Sequence, residues 1–288
     1  MNAKTGRNTQ LLSGLVAALF FAAAASLMIV VFSPWNPLMR NDTADYFGRL
    51  ALIAFFLILH LLARRSPVLQ RYALLVYGLL VLAVVVALDW VFAIFLIEYL
   101  GLFATSPLRI ALAKLNEVVV VAAVIIVLTR CSGQRLGEIY LQPGKLKLGL
   151  GIGLAAFALF VIAGIPMANA FFNGSELTLA RALPWTPWLL ITVFSNSALE
   201  ELMFRGLFLR KLEPFLGKFP SNLLIAVVFT LIHYGVTYTP DQLTFLLILF
   251  PLALVLGYLA QKTNALWASI LLHAGMDIPV FLGIFSNL

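Results

Sequence analysis

The chain has 288 residues, 62% of them hydrophobic and only 11% charged, with a mean hydropathy of +1.03. A soluble domain carries about 25% charged residues, so the composition excludes an ordinary soluble fold and describes a chain that crosses a membrane repeatedly. The net charge of +7 does not imply a nucleic-acid partner, because membrane proteins gather Lys and Arg in cytoplasmic loops.

Apolar runs of about 20 residues mark membrane spans. In chain order they predict helices over 11–32, 48–63, 72–97, 108–129, 147–170, 186–209, 220–237, 243–260 and 264–286. The expected fold is all-α, a polytopic transmembrane bundle of eight to nine spans. The first span follows Lys4 and Arg7, as a signal peptide would. Its apolar run exceeds the ~7–15 residues of such a peptide, so it reads as a retained helix. The second span is short. The last is expected to break at Pro279, which cannot donate a backbone hydrogen bond. Linkers such as 33-SPWNP-37 and 141-LQPGK-145 are brief, and no internal repeat or soluble domain is visible. Cys131 is the single cysteine. It permits no intramolecular disulfide and no Cys-based metal cage within this sequence.

Loop charge predicts orientation. Lys4, Arg7, Arg64, Arg65, Arg71, Arg130, Arg135, Lys145, Lys147, Arg210, Lys211, Lys218 and Lys262 fall on one side by alternation. Asp42, Asp45, Glu98, Glu176 and Asp241 fall on the other. The positive-inside rule then places the N-terminus in the cytoplasm and the C-terminus outside. The compact loops suggest a multi-pass protein of a prokaryotic plasma membrane.

Ionisable residues inside the spans are costly and are functional candidates by default. Segment 196–206, NSALEELMFRG, holds three. Glu201 and Arg205 are four apart, so they share a helix face in the favoured order for pairing. Glu200 is rotated about 100° around the helix and needs a partner from another helix, or water. A carboxylate beside water suits a general base, although a structural ion pair locking two helices fits as well. In 229-FTLIH-233, His233 lies one turn after Phe229; alone, it could simply hydrogen-bond a neighbouring helix. In 273-HAGMD-277, His273 and Asp277 again share a face, and a carboxylate there fixes the imidazole tautomer. The third histidine, His60, lies at a span end beside Arg64 and reads as interfacial.

Glu-Glu-x-x-x-Arg, Phe-x-x-x-His and His-x-x-x-Asn/Asp, in that order, resemble the motif set of the CAAX protease and bacteriocin-processing family. These are intramembrane glutamic proteases similar to the type II CAAX endopeptidase. Here they read EELMFR, FTLIH and HAGMD, and the resemblance covers about 186–280. It divides the chain into N-terminal helices of unassigned role, 1–140, and a protease core, 141–288.

The resemblance implies that Glu200 activates the attacking water and that His233 helps to hold it. Glu201 and Arg205 form a supporting pair. His273 and the residue four later stabilise the oxyanion, and Phe229 is expected to contact substrate. Family members acting on prenylated substrates have Asn where this chain has Asp277. Ionised Asp cannot donate to an oxyanion. Either Asp277 is protonated, or it orients His273, which then donates alone; the second is the expectation. No cofactor is implied. The expected substrate is a membrane-anchored or lipidated protein or peptide, reached through a cavity open to the cytoplasmic face.

Three alternatives stand beside this reading. Zn²⁺ held by the same Glu and His residues would give a metalloprotease, but no His-Glu-x-x-His motif is present and Arg205 would compete with a cation. A non-catalytic scaffold or immunity factor would keep the helices without the chemistry. A transporter would use the charges to line a pathway, but no inverted repeat supports it.

Overall fold

The computed structural model describes residues 3–31, 42–101 and 105–288, with side chains over 10–27, 43–92, 99–101 and 105–288. The linker 33–37 and the side chains of Lys4, Arg7, Asp42 and Glu98 lie outside the described residues. The helices are α1 (Ala3–Val31), α2 (Asp42–Arg65), α3 (Ala73–Leu100), α4 (Pro107–Cys131), α5 (Leu146–Phe171), α6 (Leu179–Ala182), α7 (Thr186–Glu201), α8 (Arg210–Leu216), α9 (Lys218–Ile232), α10 (Gln242–Thr263) and α11 (Trp267–Ser286). A π-helical segment, Leu202–Leu209, joins α7 to α8. Among the described residues seven helices are long and apolar enough to cross a membrane: α1–α5, α10 and α11. The fold is an all-α polytopic bundle.

The two remaining predicted spans take another form. The span expected over 186–209 is α7 plus the π segment, so its regular helix stops at the two glutamates. The span expected over 220–237 is α9, which ends at Ile232. Fifteen residues rise only about 22 Å, less than the ~30 Å hydrocarbon core. The chain then turns through Gly235, at φ +92°, and enters α10 after Pro240 and Asp241.

Two other expectations are corrected. The second span is not short. Arg49 pairs with Asp45 at 2.7 Å and donates to the Val86 carbonyl at 2.8 Å, so polar residues extend α2 beyond its apolar run. The last span is not split, because α11 continues through Pro279. Its buried face packs along α5, and Gly275 abuts Phe157 and Phe160. In return, Gly149, Gly153 and Gly164 of α5 face Ala268, Leu271 and Ile278. A Cβ at Gly153 would lie 2.7 Å from that of Leu271, so small residues set this close approach.

The contacts order the rest. α4 lies along α7, α3 between α2 and α4, and α10 between α9 and α11. α1 packs on α8 and α9. The largest apolar core joins α1–α4 to the π segment, α8 and α9, through residues such as Phe21, Leu79, Ile125 and Phe208. The N-terminal helices therefore brace the segment that carries the intramembrane charges.

Candidate active site

α7, α9 and α11 bring the three motifs together. Glu200 and Glu201 end the regular part of α7, His233 caps the end of α9, and His273 and Asp277 lie on one face of α11. π-helical insertions recur at functional sites, and this one begins directly after the glutamates.

The deepest layer is an ion pair. Arg205 Nη1 donates to Glu201 Oε1 at 2.8 Å, and both side chains are fully buried. Arg205 Nη2 donates to the Ala253 carbonyl on α10 at 3.0 Å. Its guanidinium stacks 4.4 Å above the Phe229 ring. That ring also meets His233 and His273 edge-on or tilted, at 4.8 and 5.7 Å. Phe229 is thus enclosed among three motif side chains, fully buried, and is not among the residues that line the cavity. This corrects its assignment as a substrate contact: its size and position make it the packing centre of the site.

Above this layer lie the reactive groups. His273 Nδ1 donates to Glu201 Oε1 at 2.8 Å. His233 Nδ1 lies 2.8 Å from the Phe229 carbonyl. A carbonyl only accepts, so that nitrogen carries the proton and Nε2 is left facing the cavity. The Nε2 atoms of His233 and His273 stand 3.9 and 3.7 Å from Glu200 Oε2. Glu200 Oε2 has no hydrogen-bond partner among the described residues. Asp277 Oδ1 is 3.7 Å from His273 Nε2, beyond hydrogen-bond reach, while Asp277 Oδ2 accepts from Asn196 Nδ2 at 3.0 Å. The orientation of His273 therefore comes from Glu201, where the sequence suggested Asp277. The i,i+4 spacing of His273 and Asp277 was visible; the cross-helix contact was not.

Glu200, His233, His273, Asp277 and Asn196 line a cavity of about 650 Å³. Its walls are mostly apolar and include Phe160, Met167, Phe245, Leu252 and Phe281. Asp89 of α3 and Lys114 and Glu117 of α4 also line it. Lys114 Nζ pairs with Glu117 at 2.7 Å and lies within electrostatic reach of Glu200 and Asp277. Reading by motif overlooked these three. The available signal was the presence of charges inside spans of the N-terminal half. At the rim, Asp241 caps α10, accepting from the Thr244 hydroxyl at 2.6 Å and from its N–H at 3.0 Å. These bonds hold its carboxyl below the usual carboxylate range. Among the described residues no three His, Cys, Asp or Glu side chains are grouped to hold a metal ion.

Residues 182–279 match a family model described as type II CAAX prenyl endopeptidase Rce1-like. The match makes this segment, about a third of the chain, similar to that family. The Rce1-like segment contains Glu200, Glu201, Arg205, His233, His273 and Asp277, and it excludes Asp89, Lys114 and Glu117. The match supports a membrane endopeptidase of the CAAX type. No curated protein and no solved structure matches the chain.

Proposed function

We propose that the chain is an intramembrane glutamic endopeptidase in which Glu200 activates water. The observation that carries this reading is the Glu200 Oε2 atom. It has no hydrogen-bond partner among the described residues, belongs to a residue that lines the cavity, and lies 3.9 and 3.7 Å from two imidazole Nε2 atoms. Gaps of that length are too wide for hydrogen bonds and suit a water seated among the groups. Glu200 takes a proton as the water oxygen adds to the scissile carbonyl carbon. The Nε2 lone pair of His233 accepts the water's other hydrogen and fixes its direction. His273 Nδ1 is committed to Glu201, so His273 donates to the oxyanion through Nε2 only as an imidazolium. The C–N bond then breaks, and the proton held by Glu200 passes to the leaving nitrogen. Glu201 and Arg205 touch no substrate and act as positioning residues. Asp277, held by Asn196, shapes the wall. A membrane-anchored peptide carrying a lipid or an apolar segment fits the largely apolar cavity.

The test is cleavage of membrane-anchored peptides, prenylated and unprenylated, by purified protein in liposomes. Wild type is compared with Glu200→Gln, each with and without a strong chelator. Chelator-resistant cleavage that the substitution abolishes supports the glutamic mechanism. Cleavage lost to chelator and restored by Zn²⁺ would replace it with the metal-dependent reading. Cleavage that survives Glu200→Gln would remove Glu200 as the base.

A further inference from the structure

Asn196 lines the cavity and has no part in the chemistry described so far. Asparagine is a poor choice for a helix interior, because its amide competes for backbone hydrogen bonds. Burying it adds a cost unless it finds a partner. Asn196 nevertheless sits inside α7 and is only 8% exposed. The nearby Thr192 and Ser197 satisfy themselves on their own helix, donating to the Trp188 and Phe194 carbonyls. Asn196 instead reaches across to α11, where its Nδ2 donates to Asp277 Oδ2 at 3.0 Å. A residue that breaks a local rule in this way marks a functional or strained position.

Two pairs of side chains face each other here. Asn196 and Glu200 are four apart on α7, and His273 and Asp277 are four apart on α11. Each pair projects from one face of its helix. The helices are antiparallel at this contact, so Asn196 meets Asp277 while Glu200 Oε2 lies 3.7 Å from His273 Nε2. Asp277 stands between the two nitrogens: Oδ2 accepts from Asn196, and Oδ1 is 3.7 Å from His273 Nε2. An amide nitrogen carries two hydrogens. Asp277 takes one, and no acceptor among the described residues takes the other. Four residues of helix, about 6 Å along the axis, separate Asn196 from Glu200. That span accommodates a carbonyl with its carbon beside the water at Glu200 and its oxygen towards Asn196 and His273.

We propose that Asn196 is a second oxyanion donor. As the water oxygen adds to the scissile carbon, the carbonyl oxygen gains negative charge. His273 Nε2 donates to it from one side, and the second N–H of Asn196 donates from the other, with no proton transferred. Donors held in place before the charge develops lower the barrier most. Asp277 supplies that hold. An ionised carboxylate only accepts, so it keeps Nδ2 of Asn196 turned towards α11 and fixes the plane of the amide. Asp277 thereby has a role that it can fill while charged, as the positioning residue of a neutral donor. The competing role for Asn196 is a plain interhelical hydrogen bond that ties α7 to α11. The inference rests on the proteolytic reading, and the two can fail separately.

The test compares wild type with Asn196→Ala, Asp277→Ala, the double variant and Glu200→Gln, all as full chains in liposomes. One membrane-anchored peptide serves as substrate, and its phosphinate analogue mimics the tetrahedral intermediate. Asn196→Ala should lower kcat on the order of 10²-fold, the usual loss for one oxyanion donor, with KM near wild type. Affinity for the phosphinate should fall by a similar factor, because such analogues gain from contacts made only in the transition state. A mere tie between helices is already gone once Asp277 is removed. Adding Asn196→Ala to Asp277→Ala should therefore cost a further tenfold or more in kcat if the amide is a donor, and nothing if it is a tie. No further loss, or unchanged phosphinate affinity, overturns the proposal. Should Asn196→Ala lower the unfolding temperature, Asn196→Ser carries the same expectation, since its one hydroxyl hydrogen goes to Asp277 and none is left for the oxyanion. Cleavage that survives Glu200→Gln removes the proteolytic mechanism and this inference with it. Cleavage lost in Glu200→Gln but kept at the wild-type rate in Asn196→Ala overturns the role of Asn196 alone.

Discussion

Glu201 Oε1 accepts from His273 Nδ1 and from Arg205 Nη1, each at 2.8 Å. One oxygen therefore joins α7, its π-helical continuation and α11, and it fixes which nitrogen of His273 faces the cavity. Glu201→Gln keeps the shape but weakens both charge-assisted bonds, and a neutral amide tolerates either tautomer of His273. We expect kcat to fall on the order of 10²-fold, the scale of losing one oxyanion donor, with little change in KM. By contrast, Asp277→Asn should stay within about tenfold of wild type. Asn196 can still donate to the new side-chain oxygen, and His273 keeps its hold on Glu201. Comparing kcat for the two variants on one peptide checks the order; a larger loss for Asp277→Asn would return the orienting role to Asp277.

Arg205 is fully buried and serves one carboxylate, one backbone carbonyl and one aromatic face. Arg205→Met removes the guanidinium from a fully buried pair and leaves Glu201 with His273 as its remaining partner; breaking a buried pair in this way costs about 3–5 kcal/mol. A marked fall in the thermal unfolding temperature in detergent is expected, together with loss of activity. Arg205→Lys should recover only part of either, because an ammonium cannot reproduce the planar fork that reaches Glu201 and Ala253 together.

Glu200 differs from Glu201 in this respect. Its Oε2 has no hydrogen-bond partner among the described residues, so Glu200→Gln removes no described hydrogen bond from that atom. Unfolding temperature should stay near that of wild type while kcat/KM drops by about 10²–10⁴, the usual contribution of a positioned general base. A variant that unfolds as readily as Arg205→Met would show that Glu200 is structural.

The order of the helices and the pairing of Glu201 with Arg205 were legible because both follow from local periodicity: apolar runs of span length, and charges one turn apart. The shared site of Glu200, His233 and His273 was legible through motif order alone, since no local rule joins residues on three helices. The end of α9 at Ile232 was hidden. The apolar run continues past it, and the residues that stop the helix also form the rim. The contact between Glu201 and His273 was hidden because it spans 72 positions and competes with the nearer Asp277. Asp89, Lys114 and Glu117 carry no motif, and only the fold brings them to the cavity.

Those three residues bring the N-terminal helices to the cavity wall. Lys114 is paired with Glu117 and faces the same cavity as Glu200. Lys114→Met would leave Glu117 without its paired cation and remove a positive charge from the field at Asp89. We expect kcat/KM to change by about tenfold, equivalent to ~1.4 kcal/mol, with Lys114→Arg closer to wild type. Exposed residues remote from the cavity, such as Leu12, provide the control; equal effects at Leu12 and Lys114 would reduce these helices to scaffolding.

The apolar wall makes the last prediction. Ile248 lines the cavity and is 46% exposed, so enlarging it intrudes on the cavity without overpacking a closed core. Ile248→Trp should leave the unfolding temperature unchanged and narrow the space beside α10. If that wall receives a lipid or bulky apolar segment, KM should rise several-fold for a prenylated peptide and remain near wild type for the same peptide without its lipid. The comparison uses one enzyme and two substrates, so altered expression or folding cancels. Equal increases for both peptides would mean that the wall takes the peptide chain itself, with the lipid left in the bilayer.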